Sequence, residues 1–473
     1  MDKFMGRFDV KKYANKLRGW LNTRDISVAF AIIFALGLIM RLCILAVHGP
    51  KYNMNNDDCS YFNSGLHFFK TGEITMRGDL TAQIMPGVPM VIAAFMAVFG
   101  TGTAVWMALN LFWITVGMLS VLILYRTVKL FAPDFFACLS AAFLSLSLDF
   151  AYLSNVFMTE TLFIFCFISI IYCTIRLGIG HSQRRHFLYL FLAFFGALLL
   201  RPVIAFLPVL IIVYLVIKKY PIRRLAIQTA AAAAAILLIF ILPWSVRNHR
   251  LFGDWIMLSY GSGNPVLLGT YQGYGYPDDN DLNIEEDVYD PLPEQFKLEF
   301  EGRGEPHMTK YRSLQYDGMV AKYRMKQWWS RNPVSMLVSY AAIKPVKLLF
   351  SAFNPLTWEK GNEIVRWGGR LLLAADFTLM LFGLFGIFKR RVHRAETGFI
   401  LLIYGFWIAV NSYAYAMARY AQAAYFLRFI LLGWGLYQFF LWLLPHLKRR
   451  ENLHPKLFPP VIKLLDRICE KTS

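Results

Sequence analysis

The sequence has few charged residues, and acids are the scarcer kind. Only 17% of its 473 residues are charged, with 30 Asp or Glu against 49 Lys or Arg. A soluble protein of this length carries closer to a quarter charged residues. The six cysteines show no spacing typical of a disulfide framework or a zinc site. These shortages exclude a disulfide-stapled secreted domain and a soluble domain with a charged surface.

Apolar residues take the place of charge, at 57% of the chain, and 16% of the residues are aromatic. They recur in runs of about the length that spans a bilayer. The runs lie at about 26–47, 104–126, 135–152, 158–177, 186–200, 203–218, 225–244, 371–388, 397–415 and 421–444, and two weaker ones lie near 86–99 and 334–353. The pattern predicts an all-α polytopic membrane protein with about 10–12 membrane helices.

The formal net charge of +19 comes from short Lys/Arg clusters between the apolar runs. This distribution is typical of cytosolic membrane loops and argues against nucleic acid as a partner. We expect the weaker runs not to cross, because 86–99 is short and 334–353 is interrupted by Lys344 and Pro345. The clusters then all face the cytosol, as do both termini, which predicts a multi-pass protein of the plasma (inner) membrane.

The same alternation divides the chain into five parts. They are a cytosolic basic amphipathic segment (1–25), an N-terminal transmembrane module (26–244) with a first outer loop (48–103), an extracytoplasmic lobe with an interfacial helix (245–370), C-terminal transmembrane helices (371–444) and a cytosolic basic tail (445–473). The lobe is rich in Gly, Tyr and acidic residues, so we expect it to be loop-rich rather than a separate catalytic domain.

Acids and cations from distant segments share the predicted outer face. The acids are Asp57, Asp58 and Glu160, and the cations are Arg201, Arg247, Arg250 and Arg419. A carboxylate pair with convergent arginines suits a reaction in which a base takes a proton while cations hold a departing phosphate. A site at the membrane adds a donor whose lipid tail stays in the bilayer.

Each of these residues also has a structural interpretation. The two aspartates of "NNDDCSYF" could serve a helix start, and Glu160 could serve only the dipole of the helix that follows. Arg247 could be an interfacial anchor beside Trp244. Asp376 is a lone acid in an apolar run, where pairing with a neighbouring helix is favoured over a proton path.

Five stretches resemble, in order, the motifs of a known family. They are "NDDCSYFNSGLHFFKTG", "MPGVPMVIAAFMAVFG", "NVFMTETLF", "LPWSVRNHRLFGDWIMLSYGSGN" and "ARYAQAAYF". The chain resembles the polyprenyl-phosphate-sugar glycosyltransferases of GT-C fold, specifically the bacterial dolichyl-phosphate-mannose–protein mannosyltransferase and aminoarabinose-transferase relatives. The resemblance spans about residues 25–425.

The resemblance implies roles for the outer residues. Asp57 would be the general base toward the acceptor, supported by Asp58, and Glu160 would be the second acid. Arg247 and Arg419 would hold the donor phosphate, with Arg201 and Arg250 as weaker candidates for that role. Two departures weaken the match: Gln83, Ile84 and Met85 stand where some relatives have a Lys, and no Pro follows the late Arg-Tyr pair.

The implied reaction is an inverting transfer of a sugar from a polyprenyl-phosphate donor to an extracytoplasmic acceptor, which could be protein, lipid or envelope glycan. No cofactor is implied; a divalent metal is possible but not required. Two alternatives stay open: a transporter or flippase of lipid-linked glycans, and a non-catalytic assembly subunit of the same fold. The sugar, the acceptor and the oligomeric state cannot be read from the sequence.

Overall fold

The computed structural model describes residues 27–180, 183–351, 363–450 and 458–469. The predicted segment 1–25 and parts of the predicted tail 445–473 lie outside these ranges. The helices are α1 Val28–His48, α2 Asp57–Thr71, α3 Gly87–Phe99, α4 Thr103–Lys129, α5 Asp134–Ser145, α6 Leu148–Leu153, α7 Thr159–Gly178, α8 Gln183–Leu200, α9 Leu207–Ile217, α10 Ile222–Phe252, α11 Gly263–Gly269, α12 Glu294–Phe300, α13 Pro306–Arg331, α14 Pro333–Val338, α15 Lys344–Leu349, α16 Glu363–Arg390, α17 Arg394–Tyr413, α18 Ala418–Gln422, α19 Tyr425–Arg450 and α20 Phe458–Cys469.

Shorter elements complete the chain. There are 3₁₀ turns at Pro202–Phe206 and Asp279–Asp281, and π-helical turns at Leu237–Ile241 inside α10, Glu285–Tyr289 and Ser339–Ile343 between α14 and α15. A two-stranded hairpin in the first outer loop pairs β1 (Thr75–Met76) antiparallel with β2 (Asp79–Leu80). Its two connecting residues, Arg77 and Gly78, have φ values of +57° and +101°, the positive φ at both positions that tight hairpins use.

Seven of the described helices are long and apolar enough to cross a membrane. They are α1, α4, α7, α10, the Trp367–Arg390 part of α16, α17 and the Tyr425–Lys448 part of α19. Shorter apolar helices lie at Gly87–Phe99, Asp134–Ser145 and Pro202–Ile217. Each of the twelve predicted apolar runs contains helix among its described residues, which confirms the predicted all-α membrane fold.

One predicted run, 135–152, is two helices rather than one. α5 ends at Ser145, and α6 begins at Leu148. The Ser145 carbonyl accepts a hydrogen bond from Arg41 Nη1 at 2.7 Å, and the Ser145 hydroxyl donates to the Ile33 carbonyl at 3.0 Å. Because α1 takes the carbonyl that would continue the helix, α5 stops after 12 residues.

Contacts between described segments define two ends of the helix bundle. At one end, Lys218 after α9 is 2.7 Å from the Glu396 carboxylate at the start of α17. There, the Phe131 and His393 rings lie 4.3 Å apart. The first outer loop and the segment 245–351 lie together at the other end, where the Thr81 hydroxyl is 3.0 Å from that of Tyr260. Which end faces the cytosol stays a prediction.

Close helix packing positions α2, which carries the aspartate pair. At Gly65, a Cβ atom would lie 2.5 Å from Ile92 of α3, so only glycine lets the two helices approach this closely. Elsewhere in the bundle, Gly383 of α16 and Gly435 of α19 meet backbone to backbone. α2 therefore rests on a short helix of the first outer loop rather than on a mobile turn.

Asp376 has the partner that the sequence favoured. Its carboxylate is 2.7 Å from Arg428 Nη2 of α19, and both side chains are buried. Arg428 Nη1 also donates to the Leu349 carbonyl at 2.7 Å. The pair thus ties α16 and α19 to the end of α15, and it lies away from the aspartates of α2.

Candidate active site

The two adjacent aspartates at the start of α2 have different environments. The Asp58 side chain is buried and accepts three backbone N–H groups, from Met54 at 2.6 Å, Asn56 at 3.1 Å and Cys59 at 2.9 Å. Asn56 occupies the N-cap position without a side-chain cap bond. The capping function that the sequence assigned to this stretch therefore belongs to Asp58, which fixes the turn that presents its neighbour.

Asp57 is accessible and faces two cations. Its side chain is 25% exposed, and Oδ2 accepts a hydrogen bond from Arg419 Nη1 at 2.9 Å. Its other oxygen, Oδ1, is 4.0 Å from Nη2 of Arg77 in the β1–β2 turn. Asp57 is thus a carboxylate that is held in place on one side and still open on the other.

Glu160, the first-turn acid of α7, is fully buried between two arginines. Its Oε1 is 2.7 Å from Arg201 Nη2 and 2.6 Å from Arg419 Nε. Thr159 donates its hydroxyl to Glu160 Oε2 at 3.2 Å and accepts from Arg201 Nε at the same distance. Arg201 can reach this acid because it is the extended residue between α8 and Pro202.

We call Asp57, Glu160, Arg201 and Arg419 the central ion cluster. Segments as distant as the first outer loop and the late Arg-Tyr motif meet in it, and its two acids balance its two arginines. Burial lowers the pKa of Arg419, but Glu160 and Asp57 outweigh this and hold that pKa above its usual value. Burial raises the pKa of the neighbouring Tyr61 hydroxyl. Arg419 therefore remains a cation, and Tyr61 remains a neutral phenol.

Arg247 does not contact the central ion cluster. Its Nη1 donates to the Thr81 carbonyl at 2.6 Å, and its Nη2 lies 3.2 Å from both the Ile74 carbonyl and the Glu73 carboxylate. Its guanidinium also lies 5.0 Å from the centre of the Trp244 ring. We call this set the loop clamp, because it fixes the strand ends of the first outer loop to α10.

Arg250 is exposed one turn further along α10. It lines, with Glu73 and Arg247, a cavity of about 400 Å³. Of the four arginines predicted from the sequence, the structure thus brings Arg201 and Arg419 to Asp57 and Glu160, and it keeps Arg247 and Arg250 outside that cluster.

Two residues of the site were missed at the sequence level, Arg77 beside Asp57 and Thr159 beside Glu160. The "MRGD" stretch did contain a signal for Arg77, since an Arg-Gly pair between short strands indicates a turn that displays the first residue. Thr159 precedes Glu160 and reads as an ordinary helix start. Among the residues that the structure describes, no group of three or more His, Cys, Asp or Glu side chains is placed to hold a metal ion.

Two cavities are lined by chain neighbours of the cluster residues. A polar cavity of about 730 Å³ lies against the exposed face of α2 and the β1–β2 turn. An apolar groove of about 470 Å³ runs between α8, α9 and α10, and it is lined near its outer end by Leu198, Ile241 and Leu258. Leu198 lies one turn before Arg201 on the chain, so the groove leads toward the central ion cluster.

The fold can now be compared with solved structures. The archaeal oligosaccharyltransferase AglB from Archaeoglobus fulgidus, in complex with an inhibitory peptide and a dolichol-phosphate, aligns with a TM-score of 0.52 and 14% identity. The alignment covers 95% of this chain and 55% of AglB. This chain is therefore a multi-pass membrane protein with the GT-C glycosyltransferase fold, and it spans about half the length of that relative.

More particularly, residues 84–246 match the family model of dolichyl-phosphate-mannose-protein mannosyltransferases, which confirms the resemblance read from the motifs. ArnT from Cupriavidus metallidurans aligns over 92% of this chain and 81% of its own, with a TM-score of 0.39, at 14% identity in the apo state and 16% when bound to undecaprenyl phosphate. No curated protein sequence matches significantly.

Proposed function

We propose that this protein transfers a sugar from a polyprenyl-phosphate donor to a hydroxyl or amine of an extracytoplasmic acceptor, with inversion at the anomeric carbon. One observation carries the proposal: Asp57 is a partly exposed carboxylate, and Arg419 joins it at 2.9 Å to a second, fully buried acid. A general base needs access to its proton donor and a fixed orientation. Asp57 has both.

The donor class follows from the family and from the groove. The matched family is named for a dolichyl-phosphate sugar, and the AglB structure contains a dolichol-phosphate. The apolar groove between α8, α9 and α10 suits an isoprenoid tail, because its lining is almost entirely hydrocarbon. Its outer end lies beside Arg201, where the donor phosphate would meet a cation.

The chemical step balances as a single displacement. The acceptor oxygen or nitrogen forms a bond to the anomeric carbon, and the bond from that carbon to the phosphate oxygen breaks. The acceptor proton passes to Asp57, while the electron pair leaves with the phosphate. Attack opposite the leaving phosphate inverts the anomeric centre.

The charge arrangement couples the two halves of this step. Before reaction, Arg419 is balanced by Asp57 and Glu160. When Asp57 takes the proton it becomes neutral, and the cluster gains a net positive charge as negative charge grows on the departing phosphate. Arg419 and Arg201 are then available to stabilise that phosphate. Glu160 holds both arginines at the correct distance, and no metal is required for this step.

Direct contact of Arg247 or Arg250 with the donor phosphate remains a prediction. The loop clamp uses most of the donors of Arg247 for the first outer loop, so we assign to Arg247 the task of holding that loop, and thereby Asp57, in place. Arg250 lines the neighbouring cavity at its loop-side end, beyond Arg247 on α10, where it can contact a donor phosphate.

The test separates transfer from transport. Purified protein in liposomes is given a polyprenyl-phosphate donor with a radiolabelled sugar, together with an envelope extract as acceptor. We expect label to become covalently attached to acceptor, with release of polyprenyl phosphate, and we expect Asp57→Asn to abolish this. Asp281→Asn, on an exposed acid of the lobe, is the matched control. Label that changes leaflet while remaining on the lipid would contradict the proposal and indicate a flippase.

A further inference from the structure

The polar cavity beside Asp57 differs from the apolar groove in its lining. It has a volume of about 730 Å³, and its walls come from the exposed face of α2 and the β1–β2 turn. Leu66 alone among its lining residues is aliphatic. The amides of Asn55, Asn56 and Asn63 line it and can both donate to and accept from hydroxyl groups.

The charge of this cavity has one sign. Lys70 and Arg77 both line it, and none of its lining residues is Asp or Glu. Lys70 is exposed near the end of α2, and the Arg77 side chain is 65% exposed. The nearest carboxylate to Arg77 is that of Asp57, at the limiting distance of 4.0 Å. Both cations can therefore bind an incoming anion.

The conformation of Arg77 supports a binding function. Arg77 is the first connecting residue of the hairpin, with a φ of +57°, and Gly78 follows at +101°. Asn, Asp and Gly are the residues that favour the first position of such a turn, because positive φ is strained for a long side chain. An arginine there contradicts the local preference while placing a guanidinium at the mouth of the cavity.

The cavity also lies where an acceptor must be. Asp57 follows the lining residue Asn56 in the chain, and its Oδ1 is 4.0 Å from Nη2 of the lining residue Arg77, so Asp57 lies next to the cavity. The opposite oxygen, Oδ2, is held by Arg419 toward the cluster proposed to take the donor phosphate. An acceptor in the cavity and a donor at the cluster would therefore approach Asp57 from different sides.

We infer that this cavity is the acceptor subsite and that it takes a phosphate-bearing glycan or polyol. The amides would bind its hydroxyl groups, and Lys70 and Arg77 would bind its phosphate. Two separate cations match a group with several anionic oxygens, and the absence of acids from the lining removes repulsion. That this ligand is the acceptor rests on the proposed function, whereas its binding in the cavity does not.

The test measures binding without any donor. Full-length protein in lipid nanodiscs is titrated with glucose 6-phosphate, glucose and inorganic phosphate. We expect the phosphorylated sugar to bind more tightly than either of the other two probes. Lys70→Gln and Arg77→Gln should each weaken its binding about fivefold, the effect of losing one exposed ion pair. Lys322→Gln, which removes an exposed cation of α13, should change nothing.

Three outcomes would overturn the inference. They are equal affinity for glucose and glucose 6-phosphate, unchanged affinity in both cavity variants, and displacement of the phosphorylated sugar by a neutral Ser/Thr peptide, which would point to a protein acceptor. Thermal unfolding of each variant checks its integrity, and Lys70 is exposed, so at least that variant should fold. The titration contains no polyprenyl-phosphate sugar. A failure of the sugar-transfer assay would therefore not change the binding measured here, and the two proposals can fail separately.

Discussion

The sequence predicts the same phosphate-binding function for four arginines at the Asp57 end of the bundle, but the structure divides them into two pairs with different partners. Arg201 and Arg419 both reach the buried carboxylate of Glu160. Arg247 reaches mainly backbone carbonyls of the first outer loop, and Arg250 is exposed. The first pair balances acids that take part in the proposed chemistry, and the second pair holds or flanks the loop that carries Asp57.

The partner of an arginine therefore decides how much stability is lost when that arginine is removed. An arginine buried against a carboxylate leaves an uncompensated charge when it is removed. An arginine bonded to carbonyls leaves unsatisfied acceptors, which costs less. The predictions below test this ranking.

The largest effect is expected for Arg419→Met. The change leaves Glu160 with Arg201 as its remaining ion-pair partner and removes the hydrogen bond from Arg419 to Asp57. We therefore expect a loss of about 3–5 kcal/mol of stability. Sugar transfer should fall at least about a hundredfold. Apparent Tm and transfer rate per folded molecule measure the two effects. A variant with the stability and rate of the unaltered protein would show that the central ion cluster is dispensable.

Lys344 extends the comparison to a cation buried without an acid. Its Nζ is 3.4 Å from the Ala414 carbonyl and 3.5 Å from the centre of the Tyr340 ring, and burial lowers its pKa from 10.5 to about 7. Between pH 7 and 10 the Lys344 amine is therefore protonated in the unfolded chain and neutral in the folded protein. Because the unfolded chain binds more protons, the free energy of unfolding should rise with pH over this range. The full effect is on the order of 4 kcal/mol.

Replacing Lys344 with Met should remove this dependence and raise the apparent Tm at pH 7. Thermal unfolding at several pH values between 6 and 10 measures it, with Lys322→Met as the exposed control. An identical pH dependence in the Lys344 variant would mean that the buried ammonium group does not titrate as its surroundings imply.

A smaller effect is expected for Arg247→Met. Loss of the loop clamp removes the Arg247 donor from the Thr81 carbonyl and leaves the Ile74 carbonyl with the Thr81 N–H alone, which costs about 1–3 kcal/mol. We expect about a tenfold loss of transfer through misplacement of Asp57, together with faster proteolysis of the first outer loop. Arg247→Lys should restore little, because one ammonium group cannot reach both carbonyls and Glu73. A fully active variant with a protease-sensitive loop would separate the clamp from catalysis.

The smallest effect belongs to Arg250→Gln. Since Arg250 is exposed, its removal should change transfer by less than about threefold and leave the apparent Tm unaltered. Initial rates at low donor concentration are the most sensitive measurement. A loss as large as that of Arg419→Met would move the phosphate site from the central ion cluster to the cavity beside α10.

Most of the membrane helices could be predicted from the sequence, because apolar runs and cation clusters are local signals. The sequence missed α13, which has no apolar run and whose buried residues are Tyr311, Leu314, Val320, Ala321, Arg324 and Trp328. It also joined α5 and α6, because their break depends on hydrogen bonds from α1 to Ser145.

The site could be predicted in its membership but not in its pairings. Asp57, Glu160 and Arg419 were all expected on one face, and the structure brings them into contact. The resemblance implied the division of labour between Asp57 and Asp58, but the sequence could not explain it, since both residues begin the same helix. This division depends on which carboxylate turns back to the amides of Met54 and Asn56.

That division supplies the most direct test of the catalytic assignment. The measurement is the transfer rate per folded molecule, from a polyprenyl-phosphate sugar, for Asp57→Asn and Asp58→Asn side by side. We predict that Asp57→Asn loses transfer by at least about a hundredfold with little change in apparent Tm, whereas Asp58→Asn lowers the apparent Tm and retains measurable transfer. Undiminished transfer by folded Asp57→Asn would contradict the account.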